Sequence, residues 1–249
     1  MMVGMDALPV AFTATRTSLQ RVAVHVVARR RHLLSGRFGL RATPGGFGAP
    51  AAGAEHEVLR TSGAWLVREQ AGTVSRSSAL DLRTASLADA AAFAEVDLDG
   101  GWSVGADTPA LGDPAEPLGV DPAAATALGA WYAFGAVVLD AAVGSLGPAA
   151  TPSVAQLWPE HFDLGCDVEA APDQRVNLGA SPGDEHEPEP YLYVGPWGSP
   201  RPGPDGYWNA PFGAVLGYGA LAAADDAGAA ALAFLQEGLA RLMASASSS

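Results

Sequence analysis

The sequence predicts an α+β protein made of two pseudo-repeated antiparallel sheet-plus-helix halves around a central buried helix. Three observations carry that expectation. Strand-like segments alternate with blocks of helix in each half of the 249 residues. A segment without any charge, from Pro122 to Leu139, sits between the halves. Two stretches also echo one another: Arg37, Leu40, Ala42, Thr43, Pro44, Gly45 is answered by Arg175, Leu178, Ala180, Ser181, Pro182, Gly183, and Gly63 and Trp65 by Gly195 and Trp197. An echo in order reads as an internal duplication of one α+β unit.

The elements follow from local pattern. After an arm over 1–14, residues 15–34 place Leu19, Val22, Val26 and Leu33 at near-helical spacing, and Gly36 stops that helix. GRFGLRAT reads as a strand entering the Pro44-Gly45-Gly46 turn, and 57–68 and 73–82 read as further strands. Ser86 and Asp89 form a capping box for a helix that can bury Leu87, Ala91 and Phe93. The Gly-, Pro- and Asp-rich residues 98–120 read as a linker closing the first half, 15–97. Asp121 as N-cap and Pro122 at the first helical position open a helix to about Leu146. Its length suits a membrane span, but Ala and Gly dominate it and no Arg flanks it, so the expectation is a helix buried on most sides, with Asp140 needing a partner. The second half, within 121–243, carries strands over 160–169, 175–181, 190–196 and 207–219. A last helix after Asp225 and Asp226 puts Leu232, Leu235, Leu239 and Leu242 on one face. Residues 244–249 read as a disordered tail.

Composition excludes several chemistries. All 14 basic residues are Arg, so Schiff-base chemistry, PLP and a P-loop nucleotide site are ruled out for want of lysine. The net charge of −13 argues against nucleic acid. Charge is nevertheless uneven, with 11 Arg against 5 acids over residues 1–83. The cluster Arg16, Arg21, Arg29, Arg30, Arg31, Arg37, Arg41 either docks on the protein's own acids or meets an anion or acidic partner. A single cysteine, Cys166, fits a reducing, cytoplasmic setting, and the N-terminus lacks the basic start of a signal peptide.

Motifs narrow the site. Gly179-Ala180-Ser181-Pro182-Gly183 fits the nucleophile-elbow pattern, but Pro182 lacks the N–H that an oxyanion hole needs. Gly46, Gly48 and Ala51 loosely match a dinucleotide fingerprint interrupted by Pro50, with no helix to follow. Glu-His-Glu occurs at 55–57 and 185–187; with His161 it suggests His161, His186 and Glu187 as ligands for a divalent metal, the cofactor those donors suit. Cys166 with His161 reads as a core thiol near a histidine rather than a catalytic pair. Aromatic residues concentrate late in the chain. Trp158, Tyr191, Tyr193, Trp197 and Trp208 read as the wall of a small-molecule cleft, with His161, Asp163 and Glu187 as its acid/base candidates.

The run LDLRTASLADAAAFAE (80–95), the strand LWPEHFDLGCDV (157–168) and EPYLYVGPW (189–197) together resemble an uncharacterised actinobacterial family of domains of unknown function. The resemblance spans about 15–240. It implies a leading helix, a strand set closed by a helix, a central helix and a second strand set, and it implies no activity. SLQRVAVHVVA departs from the family in lacking its usual tryptophan, which puts a pocket wall there in doubt.

The expectation is a cytoplasmic small-molecule-binding protein or enzyme with an aromatic and acidic cleft in the second half, without nucleic acid or membrane as partner, and with self-association open. The rival is a non-catalytic interaction protein that uses the Arg-rich helix and the acidic C-terminal half.

Overall fold

A computed structural model describes residues 5–198 and 206–246. Of the tail expected over 244–249, residues 244–246 continue the last helix, and 247–249 lie outside the described residues. The fold is α+β with two five-stranded antiparallel sheets. In chain order the elements are α1 (Phe12–Val22), a π-helical stretch (Ala23–Ala28), α2 (Arg29–Ser35), β1 (Arg41–Thr43), β2 (Gly46–Gly48), β3 (Val58–Ser62), β4 (Trp65–Ala71), β5 (Ser75–Asp81) and α3 (Leu87–Phe93). They continue with α4 (Pro122–Gly144), a 3-10 turn (Pro148–Ala150), β6 (Gln156–Trp158), β7 (Asp163–Ala171), β8 (Gln174–Ser181), β9 (Tyr191–Pro196), β10 (Ala214–Gly217), α5 (Tyr218–Ala222) and α6 (Ala227–Ala246). Both sheets are meanders, ordered β1-β2-β3-β4-β5 and β10-β9-β8-β7-β6. The chain divides into two compact units: Leu8–Ala133 with Gln156–Asp163, and Met1–Ala7 with Phe134–Ala155 and Leu164–Ser249.

In the first unit, the leading helix departs from regular geometry where its β-branched residues cluster. Ala23–Ala28 is π-helical and wholly buried, a form that inserts a wider turn into an α-helix. The indole N–H of Trp102 donates to the Val24 carbonyl within it, at 2.9 Å. Trp102 belongs to residues 98–120, the expected linker. Having no ladder of its own, this segment is laid along the helix, whose side chains satisfy part of its backbone, and its later residues bond the backbone around α3. The Thr15 hydroxyl accepts from the Asp121 N–H (3.1 Å) and Ser18 donates to the Leu118 carbonyl (2.7 Å). Arg21 donates twice to the Leu111 carbonyl (3.0 and 2.6 Å), His25 Nε2–H to Pro109 (3.0 Å) and Arg29 to Asp99 (2.6 Å). These donors recur every three or four residues along one helical face.

Turn chemistry fixes the first sheet. Pro44-Gly45 joins Thr43 to Gly46 in register, with Gly45 at φ +78° as a type II turn requires. Gly46–Gly48 is a buried strand rather than a phosphate loop; a Cβ on Gly48 would stand 2.4 Å from the Arg60 Cβ, so glycine permits the close approach of β3. The echo maps onto structure only through this turn. Thr43 and Ser181 both end strands before Pro-Gly, but Gly63 turns the β3–β4 hairpin at φ +55° whereas its counterpart Gly195 lies inside β9.

The helix signals of the sequence hold. The Ser86–Asp89 capping box is present on both sides, Asp121 accepts from the Ala124 N–H at 2.8 Å, and Asp226 accepts from the Ala229 N–H at 3.0 Å. By length and composition α4 is a helix that could cross a membrane. One side of it is nevertheless open to solvent. Ala123, Thr126, Ala130, Ala133, Val137, Asp140 and Ala141 form an exposed stripe, so Asp140 needs no buried partner. Its inner face uses glycine for close approach, Gly129 against the Gly45 backbone in the first unit and Gly135 against Ala180 in the second. The segment 207–219 also differs from expectation: its first seven residues turn, and only Ala214–Gly217 pair as β10.

One strained turn is held by aromatic packing. Phe162 sits at φ +59°, a costly conformation for a bulky residue. Its ring is edge-on to Phe47 (5.1 Å) and Tyr132 (5.7 Å), and its carbonyl accepts the Tyr132 hydroxyl at 2.6 Å. Tyr132→Phe leaves that buried carbonyl unpaired and is expected to lower unfolding free energy by about 1–2 kcal/mol. Urea denaturation reads this as a lower midpoint with unchanged slope.

Candidate functional site

The second sheet has two unlike faces because its residues alternate. Leu164, Val168, Val176, Leu178, Ala180, Leu192, Val194 and Ala214 are buried on one face. Helices cover it: Gly135 of α4 sits over Ala180, and Gly238 of α6 over Val194. The opposite face carries Asp167, Arg175, Asn177, Gly179, Ser181, Tyr191, Tyr193 and Gly195. Register brings Asp167 opposite Asn177, Asn177 opposite Gly195, and Gly179 opposite Tyr193. The Tyr193 ring lies over Gly179, where a Cβ would come within 2.3 Å of it. Tyr193 therefore fills the space a side chain on β8 would take.

Two groups of side chains stand on this outer face. At one end, Trp197 is 63% exposed, yet its indole N–H donates to Asn177 Oδ1 at 2.7 Å and the Arg175 guanidinium lies 5.9 Å from its ring centroid. Arg175 is itself held by an ion pair to Asp167 and by Thr151, whose hydroxyl accepts at 3.2 Å and carbonyl at 3.3 Å. At the other end, the Tyr191 hydroxyl donates to Asp184 Oδ2 at 2.5 Å. The other oxygen of Asp184 accepts the N–H groups of His186 (2.8 Å) and Glu187 (3.0 Å), closing the acidic turn. Phe212 packs edge-on against His186 (5.3 Å) and Tyr193 (6.3 Å) and tilted against Tyr191 (6.4 Å).

The expected site residues thus fall into three groups. Tyr191, Tyr193 and Trp197 share the outer face with Glu187 and His186 at its acidic end. Trp208 stands edge-on to Tyr207 at 4.9 Å, and Tyr207 is anchored to α6 through the Phe234 carbonyl at 2.8 Å. Trp158, His161 and Asp163 belong to the first unit. There Trp158 is partly exposed, His161 is exposed and faces Asp107 at 3.9 Å, and Asp163 is buried beside Tyr132. Among the described residues no three His, Cys, Asp or Glu side chains gather as a metal site, and this holds for His161, His186 and Glu187. A shallow cleft of about 340 Å³ by the β4–β5 turn is lined by His56, Glu69 and Arg76 among others, and by none of the expected site residues.

The two Glu-His-Glu copies have different fates. Glu185 and His186 are exposed, whereas Glu57 is 4% exposed and fully engaged. It accepts Arg30 at 2.7 and 3.0 Å, Arg68 Nε at 2.8 Å and Gln70 at 2.9 Å, and Glu95 balances the two arginines from outside. Burial raises the Glu57 pKa, but the hydrogen bonds from Arg30, Arg68 and Gln70 outweigh it, and the net shift is downward. Ser181 is likewise structural: it is buried, and its hydroxyl accepts the Gly183 N–H at 3.1 Å in a strand-to-turn setting. Burial pushes the Cys166 thiol up to about 11, as a core cysteine requires. Arg175, Asn177, Asp184 and Phe212 complete the outer face and were not assigned to the site from sequence. The period-2 pattern of β8, which puts Arg175 and Asn177 on one side, was the available signal.

A depressed carboxylate stabilises the fold above its ordinary pKa of 4.5, and that contribution is lost as pH falls through the lower folded value. Wild type is therefore expected to lose stability steeply below about pH 4.5. Glu57→Gln is expected to be less stable at pH 7, by about 3 kcal/mol, and to show a flatter acid limb in pH-dependent urea melts. Native Cys166 is expected to resist a thiol-reactive disulfide reagent at pH 8 and to react rapidly once urea unfolds the chain.

Comparison with protein-family models, curated proteins and solved structures finds no match to this chain. The resemblance of 80–95, 157–168 and 189–197 to the actinobacterial family finds no support there.

Proposed function

We propose that the outer face of the second sheet binds a small, polar, ring-bearing molecule, with Trp197 as the stacking platform and Asn177, Arg175 and Asp167 as the polar rim. One observation carries the reading: Trp197 is 63% exposed while its indole is fixed by Asn177 and Arg175. An exposed tryptophan ordinarily has rotamer freedom to lose on binding. Here two contacts have already removed it, so a ligand that stacks on the ring meets a rigid surface. Arg175 covers one face of the indole and the exposed area is left for the ligand. The amide N–H₂ of Asn177 supplies a donor beside it, and the turn at Asp184 with Tyr191 adds an acceptor and a phenol further along the sheet. The reading assigns binding and no reaction step.

Titration of intrinsic fluorescence with a panel of nucleosides, aromatic amino acids and hexoses tests it. A saturable change is expected for one class, and Trp197→Ala is expected to weaken that binding by about tenfold. Its thermal stability should stay within about 1 kcal/mol of wild type, because the side chain is exposed. Equal binding by wild type and the alanine variant, or no response to any class, would sink the reading.

A further inference from the structure

The first unit concentrates positive charge at one place without neutralising it. Arg31 lies in α2, Arg37 follows the helix stop at Gly36 (φ +70°), and Arg41 opens β1. Arg37 and Arg41 flank Gly39 in the chain, and the charge of each acts on Arg31. Arg37 and Arg41 are exposed and Arg31 is half-buried. A Cβ on Gly39 would stand 3.6 Å from Arg31 Nη1 and 2.6 Å from Gln156 Oε1. The absence of a side chain at Gly39 therefore keeps a guanidinium and an amide together over bare backbone.

Neighbouring arginines are consumed by the fold. Arg21 and Arg29 donate to the carbonyls of Leu111 and Asp99, and Arg30 is paired with Glu57 and Glu95. Among the described residues, no hydrogen bond or ion pair joins Arg31, Arg37 or Arg41 to a carboxylate. The chain holds 27 acids against 14 arginines, so carboxylates are abundant elsewhere and missing here. Three like charges gathered on a surface destabilise the free protein, and a bound anion removes that cost.

We propose that Arg31, Arg37 and Arg41, with the Gln156 side chain, form a binding site for a phosphate-type oxyanion, either free inorganic phosphate or the phosphoryl group of a small metabolite. A planar monocarboxylate answers one guanidinium fork. A tetrahedral dianion presents oxygens to several at once, which suits three arginines grouped about Gly39. A nucleic-acid backbone fits poorly, since a net charge of −13 repels an extended polyanion beyond a patch of three arginines.

Thermal shift and calorimetry at constant ionic strength test the site, with inorganic phosphate, pyrophosphate, a hexose phosphate, acetate and chloride as probes. Phosphate is expected to raise the Tm of wild type, and acetate and chloride to leave it nearly unchanged. Tighter binding of the hexose phosphate than of phosphate identifies a phosphorylated metabolite; equal or weaker binding identifies the free ion. Arg37→Gln and Arg41→Gln, both exposed positions, are each expected to weaken phosphate binding by about tenfold. The double variant is expected to melt higher than wild type without phosphate at low salt, because repulsion is relieved. An equal response of wild type and double variant to phosphate, or an equal response of wild type to chloride, overturns the proposal.

Discussion

The carboxylate of Glu57 is the constraint on which the first unit turns. A charge taken from water needs partners of good geometry, and the fold supplies them from two elements: Arg30 on α2, and Arg68 and Gln70 on β4. Helix and strand are thereby both fixed against the same atom pair, so they have one mutual position in which the charge is satisfied. Glu95, just beyond α3, draws a third element into the arrangement. The network is electrically neutral and leaves no oxygen of Glu57 for a ligand. Its role is to specify geometry rather than to perform chemistry.

A second constraint comes from backbone groups that no ladder satisfies. Residues 98–120 contain too much Pro and Gly to form a helix or strand, and buried peptide groups still need partners. The leading helix provides them with Ser18, Arg21, His25 and Arg29. The exchange runs in both directions at the π-helical stretch, where Trp102 donates to Val24. Burial lowers the pKa of His25, in keeping with a neutral ring whose Nε2–H meets the Pro109 carbonyl. Most of the basic character of this helix is therefore structural. What remains without a carboxylate is Arg31 in its last turns, with Arg37 and Arg41 beyond its end.

The second sheet separates structure from function by the simplest device available to a strand. Its apolar face is spent on the glycine-bearing surfaces of α4 and α6, and its polar face is left for aromatic and charged groups. Gly179 and Tyr193 share one place across β8 and β9, which keeps that face flat between the acidic turn and Trp197. Both exposed tryptophans that end an echoed stretch, Trp65 and Trp197, carry an arginine over the ring, Arg83 at 5.7 Å and Arg175 at 5.9 Å. Trp65 is the less exposed of the two, at 43%, and an indole hydrogen bond to Asn177 further distinguishes Trp197.

Local chemistry was legible in the sequence wherever one residue type decides the backbone. The Ser86–Asp89 box, the Asp121-Pro122 start, the Pro44-Gly45 turn and the helix stop at Gly36 are all of that kind, and together with strand alternation they determined the α+β class. The sequence also showed that Pro182 disqualifies Ser181 as a nucleophile. Tertiary structure decided what depends on partners far apart in the chain. Alanine is indifferent to burial, so the exposed stripe of α4 could not be told from its core face. Glu57 and Glu187 sit in the same tripeptide, and only the arrival of Arg30 and Arg68 made one a buried structural charge while the other stayed in a solvated turn. The aromatic set was recognisable as a group, but its division was not: strand pairing put Tyr191, Tyr193 and Trp197 on one face, while Trp158, His161 and Asp163 fell to the other unit. Composition could count the arginines. Which of them remain without a carboxylate is a matter of geometry, because charge is neutralised by neighbours in space and not by neighbours in sequence.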